Sequence, residues 1–255
     1  MKPGSAPPVC CIVPVHDNDR QLPELIRRLV ATTGSGQRWG PAGLLFVDDA
    51  SSDRSLEVLR AAAQEHPQVA VLALKRNAGQ HAALAAGLDA AHARSIVVIL
   101  DADLQDPPEA VPRLVAAVEE GAGVAWARRQ GRYDRAGRQL TSLLHKGFLS
   151  LVAPGEHHLR TGTYCAVSAE VAELARAHPL RALSLPAAIA RTACVAELVD
   201  VPRLPRAEGR SGYSAIDRVR YGIASLRIAL AGRRSTSRAR PVRYEIAETI
   251  GWVRA

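Results

Sequence analysis

Aromatic side chains make up only 4% of this 255-residue chain: two phenylalanines, three tryptophans and five tyrosines. So few rings leave little on which unpaired bases could stack, which argues against a nucleic-acid partner. No apolar run approaches the ~18 residues of a membrane-spanning helix, and runs such as Ser95 to Leu100 are strand-sized. The N-terminal Met1-Lys2-Pro3-Gly4-Ser5 has no apolar stretch of signal-peptide length, so a cytoplasmic chain is expected. The four cysteines, Cys10, Cys11, Cys165 and Cys194, show no C-x-x-C spacing, and neighbouring cysteines seldom pair with each other. Neither a zinc site nor a disulfide framework is expected, and the thiols read as reduced, buried, small apolar groups. Internal repeats are also missing.

What the chain does have is a 47% hydrophobic content, enough for a proper core, and a divided charge. The net charge of +8 conceals 11 basic and 15 acidic groups in residues 1–127 against 22 basic and 10 acidic groups in residues 128–255. A basic second half calls for an anionic partner: a phosphorylated substrate, an anionic membrane or a nucleic acid.

The first half repeats one theme, a short apolar run followed by a polar turn and then helical periodicity. Strands are expected at Val9 to Val15, Leu44 to Val47, Val69 to Leu74, Ile96 to Leu100 and Val124 to Ala127. Between them, sets such as Leu22-Leu25-Ile26-Leu29 and Val111-Leu114-Val115-Val118 recur at three- and four-residue spacing. This alternation predicts an α/β fold, a Rossmann-like, mostly parallel sheet with helices on both faces. Ligands of such sheets bind beyond the carboxyl ends of the strands. There the sequence places Pro14-Val15-His16-Asp17-Asn18, Asp48-Asp49, Arg76-Asn77-Ala78-Gly79-Gln80 and Asp101-Ala102-Asp103-Leu104-Gln105-Asp106. Beyond residue 128 the pattern loosens into a basic loop to Arg138 and a helix-like Leu140 to Val152. Strands near Tyr164 to Val167 and Cys194 to Val199 follow, and Pro202 to Gly212 is a second basic loop.

Asp101-Ala102-Asp103 closes a hydrophobic strand. A turn at that point lets both carboxylates face one hard divalent cation, Mg2+ or Mn2+, which in turn holds a diphosphate and neutralises it as a leaving group. Asp48-Asp49 at the equivalent end of another strand strengthens the metal-diphosphate reading.

Three segments, V-D-D-A-S-S-D-R-S at Val47 to Ser55, R-N-A-G-Q-H-A-A-L-A-A-G-L at Arg76 to Leu88 and D-A-D-L-Q-D-P-P-E at Asp101 to Glu109, resemble the family 2 glycosyltransferases of GT-A fold. The Q-D-P-P-E extension is similar to the polyprenyl-phosphate branch, which contains dolichol-phosphate mannose synthases and bactoprenol glucosyltransferases. The resemblance spans roughly residues 9 to 230. It implies a metal-dependent, inverting hexosyltransferase with a nucleotide-diphosphate sugar donor. On this basis Pro14, Val15 and Asp17 flank the nucleotide, Asp49 contacts base or ribose beside Asp48, and Asn77 and Gly79 line the donor site. Asp101, Asp103 and Gln105 form the metal group, with Ala102 against the substrate, and Asp103 is catalytic. Arg128 and Arg138, also catalytic, and Ser142 receive an acceptor phosphate; Arg206 and Ser211 match the branch's second basic segment. Arginine forks suit phosphate oxygens. Arg129, Arg132 and Arg135 are left as solvated or steering charges.

Residues 1–212 then form the glycosyltransferase domain, with a donor half at about 9–127 and an acceptor half at about 128–212. Residues 213–255 form a C-terminal amphipathic helix and Arg-rich tail. Two departures from the branch fall on what should be the acceptor side. Gly212 stands where a lysine is usual, and Gly162-Thr163-Tyr164-Cys165 replaces the usual segment there. No Glu-Asp pair between residues 128 and 215 supplies the general base that an alcohol acceptor needs, whereas a phosphate acceptor needs none. Asp134, Glu156, His157 and His158 are the candidates for rescuing an alcohol acceptor. Ile216, Val219, Ile223, Leu226 and Leu230 share a helix face interleaved with arginines, which suits peripheral contact with an anionic membrane as well as it suits an ordinary packed helix. The expected acceptor is a polyprenyl phosphate. The alternatives are a soluble family 2 enzyme of secondary metabolism with a small-molecule acceptor, and a non-catalytic nucleotide-sugar or nucleic-acid binding module.

Overall fold

The computed structural model describes residues 8–130, 162–182, 184–192, 195–202 and 242–253. Its first half alternates β1 (Val9–Val15), α1 (Leu22–Thr32), β2 (Gly43–Asp48), α2 (Ser55–Glu65), β3 (Val69–Leu74), α3 (Gln80–Ala90) and β4 (Ile96–Ile99). A 3-10 turn (Pro108–Ala110) leads into α4 (Val111–Glu119), β5 (Val124–Gln130), β6 (Cys165–Val167) and α5 (Ala169–Ala177). A second 3-10 turn (Pro179–Ala182), α6 (Leu185–Arg191), β7 (Ala196–Pro202) and β8 (Ile246–Ile250) complete the described elements.

All eight strands join one sheet in the order β7-β5-β6-β4-β1-β2-β3-β8. Pairings β1–β2, β1–β4, β2–β3 and β5–β7 are parallel, while β6 runs antiparallel between β4 and β5. Strand β1, VCCIVPV, is buried at every position, as a central parallel strand covered on both faces must be. Its odd-numbered residues Cys11, Val13 and Val15 pack with Leu22, Leu25 and Leu29 of α1, Leu59 of α2 and Leu114 of α4. Cys10 and Ile12 pack on the other face with Leu84 of α3, Val171 of α5 and Ile189 of α6. The expected helix layers on both faces are therefore present. Cys10, Cys11 and Cys165 are free buried thiols, and burial pushes the Cys10 thiol up to about 12. Cys194 lies outside the described residues.

Helix α3 lies unusually close to the sheet. A Cβ on Gly87 would sit 2.5 Å from Ile12 Cγ2 and 3.1 Å from Val47 Cγ2. Both neighbours are β-branched and fixed in strands, so neither can swing aside. Gly87→Val is expected to cost about 1–3 kcal/mol of stability through overpacking, read as a lowered urea midpoint at unchanged slope.

Chain reversal between β3 and β4 puts β4 on the opposite side of β1 from β2. The loops after β1, β2, β3 and β4 thus gather at one end of the sheet around the switch point. The C-terminal segment corrects the expected domain boundary. Residues 213–255 are not all an appended helix and tail, because β8 pairs antiparallel with the β3 edge of the same sheet. Trp252 Nε1 donates to the Gln68 carbonyl at 2.8 Å, and Tyr244 hydroxyl to Asp89 at 2.7 Å. A five-residue strand whose partner lies about 175 positions earlier leaves no local periodicity to read. The helix expected at 213–230 and the arginines that follow it up to Arg240 lie outside the described residues, while Arg243 is described and exposed.

Candidate active site

Asp48 ends β2 with almost no exposure. Its Oδ2 accepts the Ser51 amide at 3.3 Å, while Oδ1 is buried with no hydrogen-bond partner among the described residues. Burial raises its pKa, against the opposing effect of the Ser51 hydrogen bonds. Asp49 was expected to face base or ribose, but its two oxygens accept the amides of Ala78 at 2.7 Å and Gly79 at 2.8 Å. Asp49 is therefore a brace that ties the β2 end to the start of α3. The reason is the turn at Gly79, φ +88°, which points two successive amides at one carboxylate.

Asp17 is likewise engaged within the loops. Its Oδ1 accepts the Ser52 amide at 2.7 Å, and its own amide donates to Ser51 Oγ at 3.1 Å, joining the β1–α1 and β2–α2 loops. Pro14 and Val15 are buried in β1, and the Val15 carbonyl accepts the Asp49 amide at 2.8 Å. Asn77 lies 3.1 Å from His16 Nε2, while His16 Nδ1 lies 3.0 Å from the Asp49 carbonyl. His16 bridges three loops, a role to which its single exposed position in the sequence gives no clue.

The turn after β4 carries the second group. Asp101 Oδ1 accepts Gln80 Nε2 at 2.9 Å and Thr163 Oγ1 at 3.1 Å. Asp103 accepts the Gln105 amide at 3.1 Å and Gln105 Nε2 at 2.9 Å. Ala102 is buried between them, and Leu104 adopts φ +62°, which curls the turn. Burial, and then the neighbouring Asp106 charge, push the Asp101 carboxyl up to about 7. Two oxygen-rich side chains on one turn, in surroundings that disfavour further negative charge, are a donor set that fits a hard divalent cation. Among the described residues no cluster of three or more His, Cys, Asp or Glu encloses a metal, so such an ion would draw its remaining ligands from substrate and water.

The remainder of D-L-Q-D-P-P-E turns out to be scaffold. Asp106 has no exposure and pairs with Arg129, the Pro107 carbonyl accepts the Tyr164 hydroxyl at 2.8 Å, and Glu109 forms a two-pronged pair with Arg28. One expectation is corrected here. Arg129 is not a solvated charge: its guanidinium lies 2.6 Å from Asp106 and 3.8 Å from Asp101. Arg128, expected at the acceptor phosphate, pairs with Asp200 of β7, with its terminal nitrogen at 2.8 Å. Strand β5 extends to Gln130, so adjacent arginines point to opposite faces, and only Arg129 turns toward the carboxylates. Thr163 and Tyr164, expected on the acceptor side, likewise meet the Asp101 turn. Arg138, Ser142, Arg206, Ser211 and Gly212, with Asp134, Glu156, His157 and His158, lie outside the described residues.

Residues 10–174 match the family described as Glycosyl transferase family 2. The chain belongs to this family. It is 42% identical over 144 residues to an undecaprenyl-phosphate 4-deoxy-4-formamido-L-arabinose transferase of Edwardsiella ictaluri, a match covering 55% of this chain and 43% of that protein. The chain thus spans under half the length of this relative, which belongs to a polyprenyl-phosphate branch of the family. Among solved structures it resembles glucosyl-3-phosphoglycerate synthase from Mycobacterium tuberculosis in complex with Mn2+, UDP and phosphoglyceric acid. That TM-score is 0.60 at 18% identity, covering 92% of this chain and 81% of that one. It also resembles a Pyrobaculum calidifontis mannosyltransferase in complex with GDP-Man and Mn2+, with TM-score 0.60, 20% identity, and 94% and 68% covered. At such identities the likeness concerns the fold, which is the GT-A fold of family 2 glycosyltransferases.

Proposed function

We propose that this family 2 enzyme moves a glycosyl group, with inversion, from a nucleotide-diphosphate sugar to a polyprenyl phosphate, as a peripheral protein at the inner face of the cell membrane. The observation that carries the reading is that the Asp101-Asp103 turn and the buried Oδ1 of Asp48, which has no hydrogen-bond partner among the described residues, both lie at the carboxyl ends of parallel strands, at one end of the sheet. A buried acceptor left unmatched costs about 1–3 kcal/mol, so Asp48 Oδ1 is suited to take an N–H of the nucleoside. Asp101 and Asp103 would hold Mg2+ or Mn2+, which when bound neutralises the diphosphate as it leaves. Gln80 and Thr163 orient Asp101, and Gln105 orients Asp103, so these oxygens are in place before substrate arrives.

The acceptor half of the proposal draws on the relative's name, on the basic residues 128–255 and on the chemistry of a phosphate nucleophile, which attacks as an anion without a general base. Arg138, Ser142, Arg206 and Ser211 are proposed to receive that phosphate; Arg128 would have to exchange Asp200 for it. The relative is named for an arabinose derivative, a pentose, so the hexosyl expectation draws no support from it. No described helix is long and apolar enough to cross a membrane. A soluble acceptor is the second reading, favoured by Gly212 where the branch usually has lysine.

Radiolabelled UDP-, GDP-, CDP- and dTDP-sugars, each with Mn2+ and polyprenyl phosphate, test the proposal. Label extractable into organic solvent is expected with one of them. Label transferred to a soluble alcohol acceptor, with none passing to the lipid, would overturn the polyprenyl-phosphate reading.

A further inference from the structure

Asp106 and Arg129 take no part in the chemistry proposed above, yet they form a charged pair packed directly against it. Asp106 is fully buried, and the Arg129 side chain is 23% exposed. The two oxygens of Asp106 serve different partners. Oδ1 accepts Arg129 Nε at 2.8 Å, with the terminal nitrogen at 2.6 Å, and Oδ2 accepts the main-chain amide of Asp101 at 3.2 Å. That same terminal nitrogen stands 3.8 Å from Asp101 Oδ2, an ion-pair distance too long for a hydrogen bond. On its other oxygen, Asp101 is already held by Gln80 and Thr163. Gly162, at φ +90°, lies against the guanidinium from a further side, its Cβ position 3.5 Å from Arg129 Nη1. One arginine therefore stands within ion-pair range of two carboxylates and bonds to only one of them.

We propose that Asp106 is a positioning residue that holds Arg129 off Asp101 Oδ2, leaving that oxygen available to a divalent cation. The inference rests on the cation reading of Asp101 and Asp103 given above. A guanidinium that closed from 3.8 Å to the ~2.8 Å of a charge-assisted hydrogen bond would neutralise Asp101 and repel an arriving cation. Groups behind metal ligands commonly govern affinity in this way, by fixing the orientation and charge of the ligand.

Asp106→Asn separates the two services of Asp106. An asparagine oxygen can still accept the Asp101 amide, but a neutral amide has no charge with which to retain the arginine. Mn2+ alone, titrated into the full chain with free ion read by electron paramagnetic resonance, should bind the Asp106→Asn variant roughly tenfold more weakly than wild type. Adding Arg129→Met removes the competing cation and should restore affinity to within about threefold of wild type. The urea midpoint of each variant is read beside the titration: a purely structural role weakens binding only as far as the single variant unfolds, whereas the positioning role weakens it in fully folded protein. Wild-type affinity in the single variant, or a double variant as weak as the single, overturns the inference. If the single variant does not fold, the double variant decides alone, and tenfold weaker binding there also overturns it. Wild type that binds Mn2+ no better than Asp103→Ala overturns the cation reading itself, and this inference with it.

Discussion

Asp103→Ala is expected to lower metal-dependent turnover, in kcat/KM, by at least about 10²- to 10³-fold, the equivalent of about 2.7–4 kcal/mol of lost transition-state stabilisation. The carboxylate lies on a turn that Gln105 and Leu104 shape locally, with Gln105 donating twice to it. Its hydrogen bonds to Gln105 stay within one turn, and the urea midpoint of the variant, read beside its turnover, separates lost chemistry from lost folding. The measurement is transfer, together with hydrolysis of the donor, over a Mn2+ series in wild type and variant. Turnover that persists at wild-type rates, with the same Mn2+ dependence, would remove Asp103 from the cation site.

Arg129→Met should have the largest effect on the fold itself, about 3–5 kcal/mol of destabilisation. The methionine fills most of the space, but it leaves Asp106 with no exposure and no counter-charge. Against a typical total of about 5–15 kcal/mol, such a loss would move the urea midpoint far down or prevent folding at 37 °C. Asp106→Asn in the same chain should recover most of it, because a neutral pair of similar volume removes the uncompensated charge. A single variant within about 0.5 kcal/mol of wild type would mean that Asp106 needs no counter-charge, as when it takes up a proton, and would overturn the prediction.

How far the sequence could be read is clearest at Arg128 and Arg129. Both stand in a stretch that composition marks as a basic loop. Which of them meets the carboxylates depends on β5 continuing to Gln130, because a strand reverses the direction of every second side chain. Asp48 and Asp49 pose the same difficulty. Their placement after β2 was legible, but not which oxygen the amides of Ala78 and Gly79 would occupy, since those amides arrive from a loop about 30 residues later. Thr163 and Gln80 reach Asp101 only because β6 inserts antiparallel beside β4 and α3 begins at the switch point. No local pattern encodes either fact. The strand runs of β1 to β5 and the helical spacing between them were legible, because each element's burial pattern is written into its own residues.

The sequence by itself determined the α/β layering, the ends of the strands at which polar groups collect, and the Asp101-Ala102-Asp103 turn, all products of local hydrophobic period and residue type. Tertiary structure alone decided which charges meet. It set Arg129 rather than Arg128 against Asp106 and Asp101, made Asp49 a brace beside the open oxygen of Asp48, and returned β8 to the β3 edge. The physical reason is range. Period and propensity act over a few residues, while a charge or an edge amide is satisfied by whatever neighbour the finished sheet brings to it.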